Sequence, residues 1–202
     1  MKRNDIVEIR IDSLSFPNKG KGVSDGVPVT VKNTLPGQTV LTRISKKRNG
    51  AAEGELKEVL ERSPMETEKG CSHCDLCGGC NYQRLTYENE VELKKNMVLD
   101  ILESSGINGF VFDGIVPAPS SSAYRNKCEF SFGDSEKDGD LALGMRKRGS
   151  FYEVVTLRDC NIVDSDFLKI IDGTLKFFTE RGTKFYHKKK RDGELRHLVV
   201  RK

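Results

Sequence analysis

Tryptophan is absent from the 202 residues. That removes the indole from the candidate base-stacking and core-anchoring groups and leaves phenylalanine and tyrosine. Long apolar runs are absent too. The opening MKRNDIVEIRIDS has no stretch resembling the apolar region of a signal peptide. Nothing later approaches the roughly 20 apolar residues of a membrane-spanning helix. The chain is therefore expected in the cytoplasm, where thiols stay reduced. No internal repeat and no low-complexity tract occurs. No glycine-rich strand–turn–helix of the dinucleotide-binding type is found either. The nearest glycine run, Asn18 to Gly22, falls in a turn-rich stretch between strands.

Hydrophobic residues make up 36% and charged residues 32%, which suits a charged globular chain of one large or two small domains. The net charge of +4 is unevenly spread. Residues 1–50 carry ten Lys/Arg against four Asp/Glu, residues 51–110 six against twelve, and residues 111–202 eighteen against fourteen. Positive charge clustered at one end is the footprint of a nucleic-acid binder, though a solvated surface accounts for it equally well.

Short strands with turn signals fill residues 5–61. DIVEIRIDSL alternates apolar and polar, FPNKGKG reads as a loop, and VPVTVKN and TVLTRIS read as strands on either side of the LPGQ turn. LKEVLERS closes the segment as a strand or short helix. Strands this short at this spacing predict a small barrel. The division is placed at 1–63 and 64–202. TYENEVELKKNMVLDILESSG predicts a helix capped by Thr86 and stopped by Gly106, with Leu93, Met97, Val98, Ile101 and Leu102 on one face. Pro117 to Ser122 reads as a linker. From Tyr124 a small α+β domain is expected. It has three strands, then a helix from Ser165 to Arg181 with Leu168, Ile171, Leu175 and Phe178 as its stripe, then a hairpin turning at Asp192-Gly193.

The chemistry lies in CSHCDLCGGC, Cys71 to Cys80, which holds four of the six cysteines. Clustered cysteines in a reducing compartment point to a metal or a redox group rather than disulfides. Zinc sites separate two C-x2-C pairs by a dozen or more residues; here only Asp75-Leu76 intervene. Iron–sulfur clusters accept a C-x2-C-x2-C run with a further cysteine from elsewhere. A cubane is wide enough for closely spaced thiolates to reach different corners. Gly78-Gly79 would let the backbone wrap it and aim N–H groups at its sulfides. A distal ligand would be Cys128 or Cys160. Cys160 sits in LRDCNIVD at a strand end, whereas Cys128 lies within a strand, where free cysteine serves as a small hydrophobe.

Further along, Cys71, Cys77, Gly78, Gly79, Cys80 and Gln83 form C-x5-C-G-G-C-x2-Q. Tyr124 to Lys127 read Y-R-N-K, Cys160 follows an Asp, and Arg196 to Arg201 read R-H-L-V-V-R. This order resembles the bacterial RNA (uracil-5-)-methyltransferases, S-adenosylmethionine-dependent enzymes that make 5-methyluridine, and especially the branch acting on 23S ribosomal RNA. The segment before the cysteines is similar to the RNA-binding TRAM domain, through Gly20 to Val23 and Leu35 to Gly37. The resemblance implies an OB-like TRAM β-barrel, a cysteine-rich cluster loop and a small α+β central domain. It implies a [4Fe–4S] cluster on Cys71, Cys77, Cys80 and Cys160. Cys74 departs from the family pattern and leaves Cys71 or Cys74 for one corner, with Cys71 favoured. The family's Rossmann-like domain, with its S-adenosylmethionine site, cysteine nucleophile and base, has no counterpart in these residues. The expectation is thus a non-catalytic N-terminal portion of such an enzyme. Its partner would be RNA, ribosomal rather than transfer, and neither DNA nor a membrane; the chain would be a monomer. A stand-alone iron–sulfur or zinc RNA-binding module is the rival, and a ferredoxin-like carrier a third reading.

Arg43, Lys46, Lys47 and Arg48, after a barrel strand, are candidate phosphate contacts along an OB-type groove. Lys188 to Arg191 are as well explained as an edge that resists aggregation. His73 is a minor candidate for zinc, and His197 reads as packing or polar surface. Phe16, Tyr82 and Tyr87 offer rings for base stacking or for a core.

Overall fold

The computed structural model describes residues 1–68 and 70–202. They form two compact units. One comprises Met1–Glu68 and Leu85–Pro117, the other Lys69–Arg84 and Ala118–Lys202. The helix after the cysteines thus groups with the N-terminal strands, whereas a division at 63/64 groups it with the second domain. The fold is mostly β, with one curled sheet and a few helices, in the α+β class.

In the first unit six strands occur: β1 (Ile6–Arg10), β2 (Ser13–Ser15), β3 (Lys19–Ser24), β4 (Val27–Lys32), β5 (Thr39–Arg48) and β6 (Ala51–Glu61). They form one sheet in the order β1-β5-β6-β4-β3-β2. Only the β4–β6 pairing is parallel. Alternating residues point inward, and Ile9, Ile11, Val29, Val31, Val40, Ile44 and Ala52 make the core. Each large aliphatic side chain so buried is worth about 1.5–3 kcal/mol. Register shifts along β5–β6 bend the ladder. The sheet curls until β3 meets the end of β1. There the Asp12 N–H donates to the Lys21 carbonyl at 2.8 Å. A Cβ on Gly22 would lie 2.1 Å from the Arg10 carbonyl oxygen, so only glycine fits.

Two local expectations change here. Lys19 to Gly22, expected in a loop, are the start of β3. Of the strand or short helix expected for LKEVLERS, the strand forms, with residues 56–61 ending β6. β5 runs on to Arg48 and turns into β6 through Asn49 (φ 51°) and Gly50 (φ 75°), a left-handed pair of the kind that closes two-residue hairpins. The first helix, α1 (Tyr87–Ser104), starts as expected, with Thr86 Oγ1 accepting the Asn89 N–H. Leu93 and Met97 are buried, while Val98 and Ile101 remain 44% exposed, so only part of the expected stripe is covered.

The second unit holds β7 (Lys127–Asp134), β8 (Leu141–Arg146), β9 (Val154–Thr156) and β10 (His197–Arg201), antiparallel in the order β10-β7-β8-β9. Helix α2 (Ser165–Glu180) covers this sheet with Phe167 and Ile171, flanked by Leu168, Leu175 and Phe178. Asp164 caps it by accepting the Asp166 N–H at 2.9 Å. The expected hairpin at Asp192-Gly193 does not form. The turn spans His187 to Asp192 instead, closed by the His187 N–H on the Asp192 carbonyl. The positive φ values fall on Arg191 and Gly193 rather than on the Asp192-Gly193 pair. His197–Arg201 then pairs with β7, which buries Val200 in the core. Among the described residues, no helix is long and apolar enough to cross a membrane.

Candidate metal centre

The cysteine run is a loop of the second unit, and it is pinned rather than draped. The Gly78 N–H donates to the Arg146 carbonyl at 2.8 Å, and the Arg148 N–H donates to the Leu76 carbonyl at 2.6 Å. Cys77 forms an isolated bridge with Lys147. The Arg148 side chain then reaches into the loop. Its Nη2 donates to the carbonyls of Cys80 (2.6 Å) and Cys77 (3.1 Å) and lies 3.4 Å from that of Cys74. One guanidinium therefore gathers three carbonyls that alternate with the cysteine side chains. Sequence reasoning missed this residue; its only signal was an arginine in the strand-rich MRKRGS stretch.

Cys160 comes from the segment between β9 and α2 and approaches the loop. The Cys71 thiol donates to the Asp159 carbonyl at 3.7 Å, and His73 Nε2 accepts the Arg158 N–H at 3.2 Å. Asn161 donates to Gln83 Oε1 at 2.9 Å. Cys77 is buried in the core cluster, with Cys80 and Cys160 packed against it.

The four sulfurs act on one another. Burial raises the Cys71 thiol, and negative charge on Cys160 and Cys77 would raise it further. Burial pushes Cys80 up to about 11, again with Cys160 and Cys77 as the like-charged neighbours. Cys160 is raised first by burial and then by Cys77, against N–H groups of Ile162 and Val163 that donate to it. Burial and like charge thus both disfavour the thiolate forms of Cys71, Cys80 and Cys160, and Cys128, raised first by burial, also has Cys160 and Cys77 as neighbours. Backbone donors already face the sulfurs, with the His73 N–H 3.4 Å from Cys71 Sγ and the Gly79 N–H 3.3 Å from Cys77 Sγ. N–H groups aimed at thiolate sulfur are a means by which proteins tune such centres. The Cys74 thiol instead lies 3.9 Å from the carboxylate of its neighbour Asp75. Cys128 is 2% exposed on β7, opposite Val200.

Among the described residues, no group of three or more His, Cys, Asp or Glu side chains is placed to hold a metal ion. The chemistry of the donor set, Cys71, Cys77, Cys80 and Cys160 with backbone N–H groups on their sulfurs, is of the kind that iron–sulfur clusters use, since a cubane spreads its ligands over separate iron corners.

The expected RNA-contacting residues lie elsewhere, on β5 of the first unit. Arg43 is paired to Glu55 on β6, and it holds the Glu55 carboxyl below the usual range, with help from Lys57. Lys46 lies opposite Glu53, and Lys47 Nζ reaches the Met1 carbonyl at 3.3 Å. Lys46, Lys47 and Arg48 are exposed. They form a short basic strand end, the continuation of β5.

No family model matches the chain. Its likeness to individual proteins runs over its full length. It is 45% identical over 202 residues to an uncharacterized RNA methyltransferase of Caldanaerobacter subterraneus subsp. tengcongensis, spanning all of this chain and 45% of that protein. It is 38% identical to another from Clostridium tetani, covering 44% of that protein, and 30% identical over 201 residues to one from Synechocystis, covering 43%. The chain thus spans less than half the length of the curated relatives it matches. Among solved structures, the fold is shared with Pyrococcus abyssi tRNA (uracil-54, C5)-methyltransferase in complex with S-adenosyl-L-homocysteine. The TM-score is 0.67 at 22% identity, over 96% of this chain and 42% of that one.

Proposed function

We propose that this chain is the RNA-binding, [4Fe–4S]-bearing portion of an S-adenosylmethionine-dependent RNA (uracil-5-)-methyltransferase that forms 5-methyluridine in the cytoplasm, with 23S ribosomal RNA as the favoured target. The observation that carries it is the packing of the cysteine loop against the Cys160 segment, through Cys71 on Asp159, His73 on Arg158 and Gln83 on Asn161, in a chain similar over its full length to proteins named as RNA methyltransferases. Cys71, Cys77, Cys80 and Cys160 would hold the cluster. When bound, it supplies a cross-link between two segments distant in sequence, which is folding energy of the kind structural metals contribute.

The chain's own residues do the positioning. Arg148 folds the cysteine loop, the Gly79, His73, Ile162 and Val163 N–H groups orient the sulfurs, and the curled sheet presents Lys46, Lys47 and Arg48 to phosphate. Methyl transfer, which in this chemistry needs a thiolate attacking uracil C6 and a base removing the C5 proton, is assigned outside these 202 residues. Support for that assignment is the length of the relatives, more than twice that of the chain.

The test is anaerobic purification followed by iron and acid-labile sulfide analysis. About four of each per chain is expected; stoichiometric zinc without sulfide would overturn the cluster. The methyl-transfer assignment is checked with labelled S-adenosylmethionine and unmodified ribosomal or transfer RNA. The 202-residue chain is expected to leave no label in 5-methyluridine, and incorporation by it alone would refute that assignment.

A further inference from the structure

The second unit carries a cleft that the cysteine centre does not use. It encloses about 370 Å³ between the turn joining β8 to β9 and the 185–189 segment. That is near the lower end of the roughly 300–1,000 Å³ typical of small-ligand sites. Its walls combine cations with rings. Lys137, Arg146, Lys188 and Lys189 line it, together with Tyr152 and Phe185. Phe151 is not part of the lining but packs edge-to-face on Tyr152, which is, with ring centres 5.2 Å apart.

The cations are held over the rings. Lys188 Nζ lies over Phe151, 4.9 Å from the ring centre, and Lys189 Nζ over Tyr152, 5.3 Å from its centre; a stacking base would displace an ammonium group toward its own phosphate or use the opposite side of the ring. Arg146 lies 5.9 Å from Phe151 and donates to its carbonyl. Two carboxylates also face the cleft. Glu153 is paired with Lys147 at 3.2 Å, and Asp134 accepts the Asp138 N–H at 3.1 Å. The balance at the cleft is positive. Holding a turn together does not require its rings to be open to solvent, yet Phe151 is 64% and Tyr152 49% exposed. Each ring is therefore open to solvent while carrying an ammonium group over it.

We propose that this cleft binds an unpaired nucleotide of RNA, its base stacked on Phe151 and Tyr152 and its phosphate held by Lys188 and Lys189. Open aromatic faces beside cations are how proteins take single-stranded bases. A duplex keeps its base faces stacked and gives these rings nothing to cover. The inference deepens the RNA-binding reading and rests on it, but places the contact in the cysteine-bearing unit rather than on the basic end of β5.

The experiment uses the 202-residue protein and a fluorescent single-stranded oligouridine of about ten nucleotides, with a hairpin duplex for comparison. Anisotropy is followed across a salt series. Replacing Phe151 and Tyr152 together by alanine should weaken single-strand binding roughly tenfold or more and leave the salt slope unchanged. Replacing Lys188 and Lys189 by alanine should flatten the log–log salt slope by about 0.7, the value for one phosphate contact on a single strand. All four side chains are exposed, so unchanged melting curves are expected. With 4-thiouridine in the oligomer, light should attach it to Phe151 or Tyr152, located by mass spectrometry. Affinity unchanged in both double variants, with cross-links elsewhere, overturns the proposal. If only Lys46→Ala/Lys47→Ala/Arg48→Ala weakens binding, the RNA reading stands and the cleft falls. If no RNA binds at all, both fall. Capture at the cleft of an acidic peptide in place of RNA also overturns it.

Discussion

Replacing Arg148 tests the cysteine loop without touching a sulfur. The guanidinium is partly buried, donates through one nitrogen to two carbonyls at 2.6 and 3.1 Å, and stands 3.4 Å from a third. Hydrogen bonds from a charged donor are worth about 1.5–3 kcal/mol each. Arg148→Ala removes two good ones and strands carbonyls that the loop holds partly out of water. Partial exposure lets water replace some of the loss, so about 2–3 kcal/mol is the reasoned cost. In a unit of about 100 residues, 1 kcal/mol moves the midpoint by about 4–8 °C, so the second unit of the iron-free protein should melt at least about 8 °C lower. Arg148→Lys should recover less than half of this, because the shorter lysine stem ends before the position of Nη2, the one nitrogen that meets all three carbonyls. Calorimetry on the apo protein reads the shift directly, and iron retention after anaerobic loading should fall in parallel. A midpoint within about 2 °C of the parent would mean that the two backbone bonds, Gly78 to Arg146 and Arg148 to Leu76, position the loop unaided.

Three further outcomes are expected. Serine at Cys71, Cys77, Cys80 or Cys160 should each reduce bound iron, while Cys74→Ser and Cys128→Ser should keep it; full iron in Cys160→Ser with loss in Cys74→Ser would move all ligands into the local run. Gly22→Ala should unfold the first unit, since its Cβ would lie 2.1 Å from the Arg10 carbonyl oxygen and 2.7 Å from Ile9; a folded variant by circular dichroism would show that the sheet can open there. The Asp166 N–H, and after it Lys202, hold the Asp164 carboxyl below its ordinary value of 3.8, so the stability Asp164 contributes is present above that pH and is lost as pH falls through its lower folded value. Asp164→Asn keeps a cap but removes the titration, so the acid limb of the melting-temperature curve should flatten below pH 3.8.

How much was legible beforehand depended on whether the signal was local. Thr86, Gly106 and Gly182 punctuate the helices in the sequence as they do in the structure, because caps and left-handed glycines act within a few residues. The alternation of IVEIR and VPVTV announced strands. The extension of β5 to Arg48 was missed because polar Lys46 to Arg48 carry no apolar alternation; the Asn49-Gly50 dipeptide was the readable clue. The 192–193 hairpin failed for the opposite reason. A good turn dipeptide was outcompeted by pairing of HLVVR with β7, which buries Val200, a tertiary gain invisible in a local window. At the candidate site, spacing alone showed four cysteines in ten residues, and the choice of Cys71, Cys77, Cys80 and Cys160 came from the family resemblance. Arg148 was not legible, since nothing in the sequence says that residue 148 meets residues 74, 77 and 80.

That contact also joins the two proposed sites. The turn between β8 and β9 touches the cysteine loop on one side through Arg146, Lys147 and Arg148. A few residues later the same turn presents Tyr152 to the cleft, with Phe151 packed against it. If the cysteines hold a cluster, they fix the loop, the loop fixes residues 146–148, and those limit where the rings can stand. A cluster used only as a staple would still shape RNA binding by this route. Cys160→Ser, which leaves the cleft's own residues intact, should therefore cut photo-cross-linking of 4-thiouridine to Phe151 or Tyr152 by several fold. The salt-dependent contribution of Lys46, Lys47 and Arg48 on the separate β5 strand end should stay unchanged. Losing both contributions together would indicate general unfolding, which a melting curve of the first unit would reveal. Full cross-linking at the rings without iron would show that the turn needs only its backbone bonds and Arg148, and that the cluster and the cleft are independent.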